Sequence, residues 1–112
     1  MNWEARVPEL RRRFEQLSER LADPTVLADR DSYRKVAREH SELQPVVETA
    51  AALERARRSL SEARQLVAGG EDAELVEMAE AEAAELADTV ARLEAELREE
   101  LLPKDPLADR SV

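Results

Sequence analysis

The chain has 112 residues, 43% of them hydrophobic and 38% charged, but only 3% aromatic. This is enough for one domain by length, and the balance suits elongated, solvent-washed helices better than a globular core. The net charge of -9 is uneven: residues 1–65 hold 13 Lys/Arg and 12 Asp/Glu, for +1, whereas residues 66–112 hold 4 and 14, for -10. So acidic a second half repels phosphate backbones, which argues against direct nucleic-acid binding there.

The chain contains no cysteine, so disulfides and thiol chemistry are excluded and a reducing compartment fits. Met1 to Arg13 carries charges throughout and lacks the apolar stretch of a secretory signal. No window approaches the apolar length of a membrane span. A soluble, cytoplasmic protein is the expectation.

The first predicted helix covers about residues 2–22. Val7, Leu10, Phe14, Leu17 and Leu21 alternate steps of three and four, a heptad seam. Pro8 falls in the first turns, where a missing N–H is tolerated best. Arg11-Arg12-Arg13 is surrounded by Glu9, Glu15 and Glu19, so it reads as a solvated face with local ion pairs. Asp23-Pro24 stops the helix, because proline pushes the preceding residue out of helical geometry. Pro24 to Arg30 is expected as a connector with one helical turn through Val26-Leu27. Asp29 or Asp31 then caps the next helix.

The second predicted helix covers about residues 31–67. Its apolar series is Tyr33, Val36, His40, Leu43, Val47, Ala50, Leu53, Leu60, Ala63 and Val67. Pro45 interrupts it, removing a backbone hydrogen bond and crowding the preceding turn at a cost of about 3 kcal/mol. The periodicity holds across Pro45, which predicts a kink; a break into two helices is the alternative. Gly69-Gly70 is expected to supply positive-φ positions for the corner. Asp72 is the natural cap of a third helix over about residues 73–102, with Leu75, Ala79, Ala83, Leu86, Val90, Leu93, Leu97 and Leu101 on its seam. Pro103 ends that helix, and residues 103–112 read as an extended tail that ends as though before another element.

Two amphipathic helices joined by a short turn fold back antiparallel, because the nearest cover for each apolar face is the other helix. The expected fold is therefore all-α: an elongated antiparallel three-helix bundle, or helical hairpin of coiled-coil type, with an extended C-terminal tail. A thin bundle can leave part of a seam exposed, so a self-associating coiled-coil module, including a homodimer, is the alternative reading.

Catalytic chemistry has little to stand on. The single histidine, His40, lies on the apolar stripe and reads as a partly buried residue at a helix contact. No second histidine or cysteine completes a zinc site. Glu80, Glu82 and Glu85 suggest a metal site only weakly, since a Glu-rich face without an enclosing pocket holds divalent cations loosely. Gly69-Gly70-Glu71 lacks a phosphate-loop pattern. Trp3 reads as cover for the end of a seam. No catalytic, cofactor-binding or metal-binding residue is assigned, and no enzyme activity is expected of these residues.

The tail is distinctive. Leu101-Leu102-Pro103-Lys104-Asp105-Pro106, followed by Asp109-Arg110, resembles a segment of bacterial peptide chain release factors, where an N-terminal helical domain leads into the central domain. Leu21-Ala22-Asp23-Pro24-Thr25-Val26-Leu27 resembles a connector of that domain; Tyr33, the acidic turn after Gly70 and the heptads fit as well. The match favours the release factor 1 type, which reads UAA and UAG. The resemblance implies that residues 1–102 form the helical domain and that 103–112 lead toward a missing central domain. It also implies contact with the base of the ribosomal stalk and communication with the GTPase release factor 3. The Gly-Gly-Gln loop that promotes peptidyl-tRNA hydrolysis and the tripeptide that reads the stop codon have no counterpart in the sequence. This implies a non-catalytic arm.

Overall fold

The computed structural model describes residues 3–102, and every regular element among them is helical. A 3-10 turn, Trp3–Arg6, leads into α1 (Val7–Leu21), followed by α2 (Pro24–Ala28), α3 (Arg30–Gly69) and α4 (Ala73–Leu101). The molecule is an elongated helical hairpin measuring 63 × 41 × 22 Å, with α1 and α2 packed on α3.

Local chemistry sets the boundaries. The connector folds as a helix of its own. Asp23 Oδ1 accepts from the Thr25 N–H and from Thr25 Oγ1, both at 2.9 Å, and Pro24 supplies a pre-set φ at the first position. Asp29, rather than Asp31, caps α3, accepting from the Asp31 N–H at 3.1 Å and from Ser32 Oγ at 2.9 Å. Asp72 caps α4 through the Glu74 N–H at 2.9 Å, as expected. α3 runs unbroken through Pro45 for 40 residues, which rules out two separate helices.

The corner works differently from the expectation. Gly69 is the last residue of α3, and no glycine among the described residues has a positive φ. Gly70 is extended, at φ -76° and ψ 136°. Its lack of a side chain matters for space: a Cβ there would lie 2.6 Å from the Leu66 carbonyl oxygen and 2.5 Å from Val76 Cγ2. The glycine permits close approach between the two helices rather than an unusual backbone conformation.

α3 is the spine, and it uses different faces for different partners. At about 100° per residue, Val36 and Leu60 lie roughly 120° apart around the helix. The first face meets α1 and α2: Leu17, Val26 and Val36 are buried together, with Leu21 and Leu43 against them. Further along, Val46, Ala50, Leu53 and Ala56 pack on Leu93, Leu97 and Leu101 of α4, with Val7 and Leu10 of α1 closing one side. The stripe therefore passes through Val46, with Val47 only half-buried, and Tyr33 is exposed rather than on the seam. A strict heptad repeat drifts around a straight helix, so one face cannot serve the whole of α3. The expectations for the Trp3 side chain and for residues 103–112 lie outside the described residues.

Candidate functional site

His40 sits where the sequence places it, at a helix contact. Its ring stacks on Phe14 of α1, with centroids 4.3 Å apart and planes inclined by 22°, and Nε2 lies 3.0 Å from Ser18 Oγ. Stacking and this hydrogen bond explain a histidine on an apolar stripe. Glu80, Glu82 and Glu85 are exposed and point in different directions, with Glu80 and Glu82 about 200° apart around α4. Among the described residues no group of three carboxylates or imidazoles could hold a metal ion.

The junction of the elements is held by a cation that sequence reading passed over. Arg57 lies four residues after Leu53 and three before Leu60, where the seam spacing calls for an apolar side chain. Its Nη1 and Nη2 donate to the two carboxylate oxygens of Glu4 at 2.9 and 2.8 Å, and Nη2 also donates to Glu94 of α4 at 2.7 Å. One guanidinium thus ties the 3-10 turn, α3 and α4 together. The hydrogen bonds from Arg57 hold the Glu4 carboxyl below its ordinary range, and the two carboxylates raise the Arg57 guanidinium further above its own. Arg6 adds a bond from Nη1 to the Leu101 carbonyl at 3.1 Å, at the C-terminal end of α4. A charged residue inside a heptad seam was the available signal.

Beyond Arg57 the structure continues as two helices alone. α1 ends its reach along α3 here, and between the helices lies an open groove of about 600 Å³, lined by residues such as Arg64, Gln65, Ala87 and Val90. Such a groove encloses no site for chemistry but leaves a surface for contact. At the far end three large apolar side chains face water: Leu66 is 61%, Leu75 62% and Met78 68% exposed. Leu75 was expected on the seam; instead Val76 turns toward the corner and is partly covered. From Glu71 to Asp88 the chain carries eight acidic residues and no basic one. This end of the hairpin thus carries exposed apolar side chains on both helices together with a run of carboxylates, a composition suited to binding a partner by contact and charge.

The chain matches the family model described as the PCRF domain over residues 10–112. It is 42% identical over 107 residues to a protein named Peptide chain release factor 1 from Geotalea uraniireducens, covering 96% of this chain and 29% of that protein. Proteins of the same name from Lactobacillus delbrueckii subsp. bulgaricus and Burkholderia ambifaria are 34% and 42% identical, covering 96% and 92% of this chain and 30% of each. The chain thus spans about three-tenths of the length of these curated relatives. No solved structure matches it significantly.

Proposed function

This chain belongs to the PCRF domain family, and from that premise we propose that it is the ribosome-docking arm of a peptide chain release factor. The observation that carries the proposal is the tip, where Leu66, Leu75 and Met78 are exposed next to an acidic run without a single cation. Burying three such side chains supplies affinity, while the carboxylates steer the arm toward basic protein surfaces and away from bare phosphate. The partner is the stalk-base region of the large ribosomal subunit, and the arm communicates with the GTPase release factor 3. The whole factor acts in the cytoplasm at UAA and UAG, a choice supported by the similarity of Leu101 to Pro106 to the release factor 1 type. Residues 1–102 form the docking domain, and 103–112 link it to a central domain.

The arm itself does no chemistry in this reading. Hydrolysis belongs to a Gly-Gly-Gln loop, and the two glycines here, Gly69 and Gly70, precede Glu71 at a helix corner. Among the described residues no helix is long and apolar enough to cross a membrane.

The test is binding of this chain to isolated large ribosomal subunits at low and high salt, with a full-length release factor 1 as positive control. Binding should weaken with salt and fall at least tenfold when Leu66, Leu75 and Met78 are all changed to Ser, since about 1.4 kcal/mol of lost burial already gives that factor. Absence of binding at low salt, or binding indifferent to the triple change, overturns the assignment.

A further inference from the structure

Pro45 is the one position within α3 where the backbone ladder must lack a bond, because proline has no N–H to donate and its ring crowds the turn before it. The weak point is bridged from outside. α1 runs antiparallel along α3 across this position, and it is fastened on both sides. Before Pro45, Arg13 makes a two-pronged ion pair with Glu39, Phe14 stacks on His40, and Leu17 packs with Val36. After Pro45, Arg11 Nη2 binds Glu54 Oε1 at 3.0 Å, Val7 and Leu10 pack against the Val46–Leu53 cluster, and Glu4 reaches Arg57. α4, in contrast, lies only on the far side of Pro45, where it packs on Val46 and beyond.

We infer that Pro45 is a hinge between a head, made of α1, α2 and the part of α3 before Pro45, and an arm, made of the rest of α3 and α4, that α1 splints it, and that the ion pairs Arg11–Glu54 and Arg57–Glu4 are the releasable end of the splint. The two fastenings differ in kind. Two-pronged, solvent-open ion pairs occur at both ends, Arg13–Glu39 with side chains 42% and 41% exposed; what the near end adds is an aromatic stack and Leu17, which is fully buried. At the far end Val7 and Leu10 are only partly buried, so the Arg11–Glu54 and Arg57–Glu4 pairs, open to screening by salt, have no fully buried α1 side chain behind them. Loss of those ion pairs leaves the far end held by the Arg6–Leu101 carbonyl bond and by the partly buried Val7 and Leu10, which lift off the larger cluster as the arm swings about Pro45, while the buried residues of each cluster keep their own partners. The hinge belongs to the fold itself, whatever the arm binds.

The chain has no cysteine, so paired labels are introduced without background. Spin labels at R34C on the head and E82C on the arm, both at exposed positions, report the head-to-arm distance distribution. With the ion pairs intact at low salt the distribution is narrow. The double change Arg11→Ala and Arg57→Ala broadens it and shifts its mean, and adding Pro45→Ala narrows it again by restoring the helix bond. Should the double variant lose helicity by circular dichroism, the unaltered pairs decide the matter in about 1 M salt, where the screening length is about 3 Å. There the distribution broadens reversibly. An unchanged distribution in the folded double variant, or equal broadening in the Pro45→Ala background, overturns the hinge. So does a distribution that ignores salt with the pairs intact.

Discussion

Arg57 and Leu97 show how two side chains on one seam contribute in opposite ways. Leu97 is 1% exposed at the centre of the larger cluster, and Leu97→Ala should cost about 2–5 kcal/mol by urea denaturation, from lost burial and the cavity left behind. Arg57 is partly exposed, so Arg57→Ala should cost only about 1 kcal/mol despite three hydrogen bonds. Its clearer signature is in titration. Glu4 is held below its ordinary value of 4.5, so the clasp's contribution is complete above that pH and is lost as pH falls through the depressed value. Carbon-detected NMR titration should show Glu4 below 4.5 in the parent chain and back near it in Arg57→Ala. At the tip, Met78→Ala should change stability by no more than about 0.5 kcal/mol, because its side chain touches mainly water.

At the scale of elements, the corner glycines make opposed predictions. Gly69 is helical with open space around its would-be Cβ, so Gly69→Ala should stabilise the chain by about 0.5–1 kcal/mol. Gly70→Ala instead drives a methyl group into the Leu66 carbonyl and should destabilise by about 1–3 kcal/mol. Thermal melts of the two variants should therefore move in opposite directions. Pro45→Ala returns the missing bond to α3 and should raise stability by up to about 3 kcal/mol. Removing the α4 cap in Asp72→Ala should cost about 1 kcal/mol, and hydrogen exchange should show the loss confined to the first turn of α4.

Taken whole, the molecule is a spine with two unequal covers. α1 and α2 cover one face of α3 toward its start, α4 covers another toward its end, and the two sets overlap around Arg57 and Leu101. This leaves the distal arm thin and its tip apolar. Self-association through that tip would bring two acidic runs together, eight carboxylates on each, so repulsion opposes it at neutral pH. Sedimentation velocity should give a monomer at low ionic strength, with any association appearing only when high salt screens the charge. A tight dimer at low salt would favour the coiled-coil module over the docking arm.

Much of this was legible from spacing. The steps of three and four through Val36, Leu53, Leu60, Leu93 and Leu97 identified helices and their buried sides, and Asp72 and Asp23-Pro24 marked the caps and stops, because these signals act through the local backbone. The resemblance in Leu101 to Pro106 pointed to the family that the match over residues 10–112 establishes. The faces were not legible. Whether Val46 or Val47 is buried, why Gly70 is glycine, and that Arg57 joins three elements all depend on which neighbour lies beside α3 at each level. A one-dimensional periodicity records that a helix has a covered side, but a 40-residue helix has room for several. Only the placement of α1 on one face and α4 on another decided where the seam turns, where the hinge is splinted, and which apolar side chains are left at the tip.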